Sequence, residues 1–290
     1  MFKKINWQAI FIGFAWFFSL SSVIVLMSFI EIKKVESTCD KVEVVLPGNQ
    51  FFIERAEIDE ILKSKNGLLI GRRLSGIDIQ YLENKLKANP FIEYAKVYVD
   101  MNGVIHADVK QRVPVLRILN LSGQDFYVDQ NGFKIPLSDH FTARVLVANG
   151  IILEDFSGKV DTLKTKMSKD LFLAAKYIAQ DSLWNDQIVQ MYVNEKNDIE
   201  LVPRVGNQKI ILGNADNLKD KFRNLLLFYK KAIPQAGWDT YSSINLKFKG
   251  QIVCEKRDST LLLNPLLKVD SMVSVKTNLI EIQDSTKNIL

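Results

Sequence analysis

Few residues of this 290-residue chain have the types and spacing that enzyme chemistry requires. The only two histidines, His106 and His140, accompany no serine or cysteine motif, and we expect both side chains to be solvated. Asp125 and Asp129 lie near turns, where isolated acids are usually solvated or cap backbone N–H groups. The sequence has no nucleophile elbow, no His-Glu-x-x-His run and no phosphate-binding loop. It therefore predicts no catalytic residue, no cofactor, no metal and no small-molecule substrate.

The two cysteines, Cys39 and Cys254, lie far apart and form no Cys-x-x-Cys or Cys/His cluster of the kind that binds metals. A disulfide between them is one alternative, because both would lie in an oxidising compartment if the chain is exported. Two unpaired thiols are the favoured alternative, since the sequence provides no geometry for a bond.

The net charge of +5 comes from 38 basic and 33 acidic residues that are scattered along the chain. Nucleic-acid-binding domains usually gather their basic residues on one face or carry a recognisable motif. Neither pattern is present, so the sequence predicts no nucleic-acid partner.

A long apolar segment opens the chain, with no charged residue from Ile5 to Ile30. As a helix it would extend roughly 39 Å, enough to cross a hydrocarbon core of ~30 Å. A cleaved signal peptide is the competing interpretation, but its apolar region is normally shorter. Lysines flank the segment on both sides, so charge alone does not fix its orientation. We expect a cytoplasmic N-terminus of residues 1–4, a transmembrane helix of residues 5–30 in contact with the lipid bilayer and a linker of residues 31–40.

The patterns from residue 41 to residue 113 predict a small α+β domain. Lys41 to Leu46 is a predicted strand, and two helices follow, over Glu54 to Lys65 and from an N-cap at Asp78. Two alternating runs joined by Asn102-Gly103 then predict a β-hairpin. The order strand, helix, helix, strand, strand places two helices on one face of a small sheet.

A second, mixed β-domain is predicted over residues 114–256, and a mobile tail over residues 257–290. Asn131-Gly132 predicts another hairpin, between Phe126 and Ile135. Apolar residues at helical spacing predict two amphipathic helices, and alternating runs predict strands. These helices are expected over 163–178 and 218–229, and the strands over 188–193, 199–202, 209–212, 243–248 and 251–255.

Several motifs resemble those of the FtsQ/DivIB family, whose members carry an N-terminal transmembrane helix, a POTRA domain and a β-domain. Leu86 to Val97 follows the pattern Leu-x-x-x-Pro-x-Val-x-x-Ala-x-Val, with Ile92 in place of the first valine. The other motifs that resemble the family are residues 47–49, residues 109–114 with Gln111 in place of an acid, residues 126–132, residues 212–222, and residues 244–248 with Asn245 in place of Asp. The likeness covers roughly residues 1–256.

The resemblance implies a non-catalytic division scaffold in the cell inner membrane, a single-pass type II protein with most of its chain in the periplasm at the division septum. It would bind FtsB/FtsL-like single-pass proteins and other divisome proteins, and so link early and late components of septal cell-wall synthesis. The implied partner-binding residues are Tyr241, Ile244, Leu246, Phe248, Gln251 and Val253 in the last strands of the β-domain. Weaker candidates in the POTRA-like domain are Arg72, Arg73 and Tyr81.

Two alternatives stay open from the sequence. A membrane-anchored cell-wall enzyme would need a pocket with convergent polar groups. A POTRA-bearing outer-membrane assembly component would need a β-barrel, and the residues beyond Glu255 are too few for even eight strands of ~9–11 residues each.

Overall fold

The computed structural model describes residues 7–36, 38–48, 52–63 and 67–257, with side chains in the first range given for residues 11–27. The helices are α1 (Trp7–Glu36), α2 (Arg55–Leu62), α3 (Ile79–Lys87), α4 (Lys166–Ala179), α5 (Ser182–Gln187), α6 (Leu218–Lys231) and α7 (Ile233–Ala236). The strands are β1 (Lys41–Val45), β2 (Ile92–Val99), β3 (Val104–Gln111), β4 (Pro114–Ile118), β5 (Phe126–Asp129), β6 (Phe133–Ile135), β7 (Leu146–Gly150), β8 (Asp161–Thr162), β9 (Ile188–Val193), β10 (Ile199–Pro203), β11 (Lys209–Gly213), β12 (Tyr241–Asn245) and β13 (Val253–Lys256).

Helix α1 covers most of the apolar N-terminal segment, and its described side chains, residues 11–27, are all exposed. Within the part of the chain that the structure describes, no helix has both the length and the apolar character needed to cross a membrane. The predicted transmembrane helix of residues 5–30 therefore stays a prediction.

The chain forms two compact units. Unit 1 comprises residues 1–117, 125–145 and 155–163, and unit 2 comprises residues 118–124, 146–154 and 164–290. The predicted boundary between residues 113 and 114 follows sequence motifs instead of compactness, and it stays a prediction.

The first sheet of unit 1 has the strand order β1-β3-β2. Along the chain, the elements β1, α2, α3, β2 and β3 confirm the predicted order strand, helix, helix, strand, strand. β2 and β3 are antiparallel, with Val97 opposite Ala107, while β1 runs parallel to β3. Asp78 caps α3 as predicted, since its carboxylate accepts a hydrogen bond from the Tyr81 N–H at 2.9 Å. The apolar faces of α2 and α3 pack against the sheet and form one core. Its buried members include Ile58, Leu62, Leu82, Leu86, Ala95, Val97, Ile105, Ala107 and Val109.

The hairpin of β5 and β6 forms at Asn131-Gly132, as predicted. It belongs to unit 1, with β4 beside β5 and β8 beside β6. A second apolar cluster joins it to the preceding residues: Phe52 stacks on Phe91 with ring centroids 5.3 Å apart and meets the edge of Tyr127 at 5.6 Å.

Unit 2 contains a sheet of strand order β7-β9-β10-β11-β12-β13, together with α4 to α7. Strands β9 to β11 are antiparallel neighbours, while β7 lies parallel to β9 and β11 parallel to β12. The inward-facing side chains of these strands are apolar and buried, among them Ala148, Met191, Leu201, Leu212 and Ile244. Leu171, Phe222 and Leu225 of α4 and α6 are buried too, which places the core of this unit between helices and sheet.

The sequence patterns did not predict the short elements β4, β7, β8, α5 and α7. The predicted α4 starts later than expected, at Lys166, because Thr165 caps it through the Ser168 N–H. α7 contains Pro234 near its start. Proline is tolerated there because it occupies the first turn, where its missing N–H has no helical partner.

Candidate partner-binding edge

Strand β13 lies at the end of the sheet in unit 2 and, within the described part of the chain, pairs with β12 alone. It is four residues long and antiparallel to β12, with Ser243 opposite Glu255 and Asn245 opposite Val253. An edge strand carries backbone N–H and C=O groups without sheet partners, so it can accept a strand from another chain.

The outward-facing backbone groups of this edge belong to Cys254 and Lys256. The Leu246 N–H donates to the Ile211 carbonyl at 2.8 Å, so Leu246 directs its backbone groups toward β11. Because these groups alternate in direction along a strand, those of Ser243 and Asn245 point toward β13 and meet their opposite residues. The backbone groups of Cys254 and Lys256 then point away from β12, toward an incoming strand.

The structure brings the six residues predicted in this region together but gives them different surroundings. Ile244 and Leu246 are buried in the core of unit 2, because their side chains share the face that the helices cover. Phe248, Gln251 and Val253 are exposed, and Tyr241 is half-buried. Phe248 and Gln251 lie in the connection between β12 and β13, where the sequence had predicted strand residues.

Aromatic packing supports the base of β12. Tyr241 lies against Phe228 of α6 with ring centroids 5.6 Å apart, and Tyr229 lies against Trp238 at 5.4 Å. The Arg257 N–H donates to the Thr240 carbonyl at 2.9 Å, which extends the pairing beyond β13. These contacts hold the edge strand in place from its inner side.

A cleft of about 490 Å³ in unit 2 is lined mainly by charged and polar residues. It is lined by Lys166, Met167, Asp170, Asn197, Asp198, Gly213, Asn214, Lys221 and Lys247. The sequence predicted no functional role for these residues, although Lys221 lies in the motif of residues 212–222 that resembles the family.

Each lysine of the cleft has a hydrogen-bonding or ion-pair partner within the cleft. Lys166 contacts Asp170 at 2.6 Å and Lys247 contacts Asp198 at 2.7 Å. Lys221 is only 9% exposed, and its ammonium donates to the Leu212 and Asn214 carbonyls, each at 2.9 Å. Burial lowers the pKa of Lys221. This arrangement fastens α6 to the end of β11, and every ammonium of the cleft has an acceptor or a counter-ion.

The candidates in unit 1 lie apart from one another in the chain and differ in exposure. Arg73 and Tyr81 are exposed, whereas Arg72 is half-buried. The backbone of Tyr81 is occupied in capping α3, and its ring faces solvent.

The histidines and cysteines form no common site. His106 is only partly exposed, which corrects the expectation of a solvated side chain: it lies 3.3 Å from Asp100 and 3.6 Å from Glu43 and stacks on Tyr98. Both thiols are free, with Cys39 buried and Cys254 half-buried, and burial raises the pKa of each. Among the described residues, no group of three or more His, Cys, Asp or Glu side chains could hold a metal ion.

Comparison with known proteins gives matches over both regions. Residues 37–110 match the model of the POTRA-like domain, and residues 113–255 match the model described as FtsQ/DivIB, C-terminal related. A curated relative, the cell division protein FtsQ of Salinibacter ruber (strain DSM 13855 / M31), is 21% identical over 196 residues, which cover 64% of this chain and 73% of that protein.

The fold and the edge strand define a two-module α+β protein. A POTRA-like domain is followed by a mixed domain whose sheet, within the described residues, ends in a strand that is paired on one side. The two family matches and the FtsQ relative fix its family. The chain belongs to the FtsQ/DivIB family.

Proposed function

We propose that this protein is a membrane-anchored, non-catalytic scaffold of cell division that binds FtsB/FtsL-like single-pass proteins at strand β13. The observation that carries this proposal is the outward direction of the backbone groups of Cys254 and Lys256, combined with family membership. The added strand would gain main-chain hydrogen bonds from these groups, and the exposed Val253 and Phe248 would favour apolar side chains.

Proline at position 256 tests the edge directly. Because the Lys256 N–H points away from β12, Lys256→Pro removes a donor from the outer side and leaves the pairing with β12 intact. We expect capture of co-expressed FtsB-like and FtsL-like proteins to fall ~10-fold or more, since a lost hydrogen bond and a steric clash combine.

The matched control is Lys256→Ala, which also removes the charge but keeps the N–H, and it should bind like the unaltered chain. Phe248→Lys should weaken capture as well, while a buried residue such as Leu246 is unsuited because a lysine there would disrupt the core. Equal capture by the proline and alanine variants, with both proteins folded, would refute the edge assignment.

The proposal places the anchor in residues 5–30, the bulk of the chain in the periplasm and the protein at the septum. The apolar composition of that segment supports the anchor, and family membership supports the location. A cysteine in place of exposed Lys249, in a chain lacking Cys39 and Cys254, should react with a membrane-impermeant thiol reagent in spheroplasts. Reaction only after lysis would place this domain in the cytoplasm.

The absence of catalysis is part of the proposal. Its support is that two lysines of the cleft are held in ion pairs and the third donates to a backbone carbonyl. Turnover of peptidoglycan fragments by the purified chain, abolished by Lys221→Met but not by Lys219→Met, would contradict it.

A further inference from the structure

The loop of residues 67–71 in unit 1 exposes two apolar side chains whose outward direction is set by the fold. In residues 67–71, Leu69 is buried in the core, whereas its neighbours Leu68 and Ile70 are 67% and 58% exposed. Because the side chain between them is held in the core, the outward direction of Leu68 and Ile70 is built into the fold. Contiguous patches of exposed apolar side chains mark contact surfaces, and Leu68 and Ile70 could belong to such a patch if further apolar side chains lie beside them.

Hydrogen bonds tie this loop to the residues that follow α1. The Cys39 N–H donates to the Arg72 carbonyl at 2.7 Å, and the Gly71 N–H donates to the Cys39 carbonyl at 2.7 Å. A further β-bridge joins Thr38 to Arg73. The loop therefore stays beside the point where the chain enters the domain.

The turn between β2 and β3 reaches the same place. The Asp40 N–H donates to the Gly103 carbonyl at 3.2 Å, and a Cβ at Gly103 would lie 2.6 Å from the Thr38 carbonyl oxygen. Met101, in the same turn, is fully exposed. A third apolar side chain is thus added near the entry point.

The entry point lies close to the end of α1. Thr38 comes two residues after Glu36, so their Cα atoms are at most ~7 Å apart. The described side chains of α1 are exposed and mostly apolar, and they include Phe11, Trp16 and Phe18. If residues 5–30 are embedded in a bilayer, the six residues of α1 that follow extend only ~9 Å, so the loop and the turn lie near the surface of that bilayer.

We propose that Leu68, Ile70 and Met101, together with Arg72 and Arg73, form a membrane-contacting surface that takes anionic lipid headgroups. This inference rests on the anchor in the proposed function. The apolar side chains would enter the interface between headgroups and acyl chains, and the two guanidinium groups would pair with lipid phosphates. Arg72 and Arg73 then orient the domain on the membrane instead of binding another division protein.

A fluorescent probe on the full chain tests the contact. Leu68→Cys and Met101→Cys, in a chain carrying Cys39→Ala and Cys254→Ser, are each labelled with an environment-sensitive dye and placed in nanodiscs of phosphatidylcholine and phosphatidylglycerol. We expect a blue-shifted emission and quenching by spin-labelled lipid at both positions.

The matched control is Val45→Cys, labelled in the same way. Val45 is also exposed and apolar, but it lies at the opposite end of β1, roughly 13 Å from Lys41. Its dye should show neither the shift nor the quenching. Equal quenching at positions 45, 68 and 101, or none at any of them, would overturn the inference.

Incorporation into nanodiscs, measured first, separates this inference from the anchor. Incorporated protein without quenching at 68 and 101 overturns the membrane-contacting surface and leaves the anchor standing. Protein that does not incorporate overturns both.

The arginines are tested by lipid charge. Phosphatidylcholine alone should reduce the quenching at position 101, and so should Arg72→Gln combined with Arg73→Gln in the anionic nanodisc. The control pair Arg55→Gln and Lys110→Gln removes two exposed charges from elsewhere in unit 1 and should leave the quenching unchanged. Quenching that depends on neither lipid charge nor these arginines would overturn the headgroup assignment.

Discussion

Glu83 shows how one carboxylate can be fixed by its neighbours. It is 5% exposed and contacts Lys87 at 2.7 Å and Lys96 at 3.3 Å, and it accepts a hydrogen bond from the Val97 N–H at 3.1 Å. The hydrogen bond from Lys87, followed by that from Val97, lowers the pKa of Glu83 to about 2. The carboxylate joins α3 to β2 and stabilises this packing only while it is ionised.

This depressed pKa predicts a pH dependence. Because the folded pKa lies below the unfolded value near 4.5, the stabilisation is present above that value and is lost as the pH falls toward 2. Glu83→Gln should lower the thermal midpoint at pH 7, and the difference from the unaltered chain should shrink below pH 4. Glu60→Gln, at an exposed ion pair, is the control and should have little effect at either pH.

Arg112 and Asp129 form a second pair, and both stand in motifs that resemble the family. Asp129 is fully buried, its carboxylate lies 2.6 Å from the Arg112 guanidinium, and it also caps the Asn131 and Phe133 N–H groups. The sequence left open whether Asp129 is solvated or caps a turn, and the structure shows a buried capping residue.

Breaking this buried pair should lower the free energy of unfolding much more than breaking an exposed ion pair. Arg112→Gln or Asp129→Asn leaves one buried charge unpaired, so each should lower the free energy of unfolding by about 3–5 kcal/mol. In denaturant titrations the double variant should lose less than the sum of the two. Arg223→Gln, at an exposed pair with Asp220, is expected to lose less than ~1 kcal/mol. Additive losses at Arg112 and Asp129 would contradict direct coupling.

At the scale of elements, β7 depends on one glycine where it meets β9. Gly150 has a φ of +100°, and a Cβ there would lie 2.2 Å from the Val193 carbonyl oxygen. Because the obstructing atom belongs to the backbone, no side-chain rotation can relieve the clash. The sequence patterns missed this strand because it is short and ends in Asn-Gly, which favours a turn.

Gly150→Ala should therefore destabilise the protein by roughly 2 kcal/mol or more, through backbone strain and the clash together. Gly158→Ala is the matched control, since Gly158 also has a positive φ of +76° but nothing lies within 4 Å of its added Cβ. Only the strain remains there, so its thermal midpoint should fall by a smaller amount. A larger fall for Gly158→Ala would contradict the role of the close approach.

For the whole molecule, the open edge should be visible as a difference in amide protection. β3 is flanked by β1 and β2, and its amides should exchange slowly with deuterium. The outward N–H groups of Cys254 and Lys256 should exchange fast in the free protein and slowly after a partner strand is added. Amides of the exposed β9–β10 turn, residues 194–198, should not change. Unaltered exchange at residues 254 and 256 in the complex would argue against binding at this edge.

The sequence by itself determined the α+β class, the order of the elements from β1 to β3 and most elements of unit 2. Asn102-Gly103 and Asn131-Gly132 specify their hairpins through local backbone preferences, and the Asp78 cap needs only a nearby N–H. Such features involve residues a few positions apart, so a single stretch of sequence contains the whole signal.

Tertiary structure decided what depends on distant residues. Leu246 and Phe248 look alike as apolar residues at alternate positions, but only packing against the helices buries the first and exposes the second. The outward N–H of Lys256 follows from the pairing of β13 with β12 and of β12 with β11. The grouping of Leu68, Arg73 and Met101 beside Thr38 likewise results from hydrogen bonds between residues more than 30 positions apart, which no local pattern encodes.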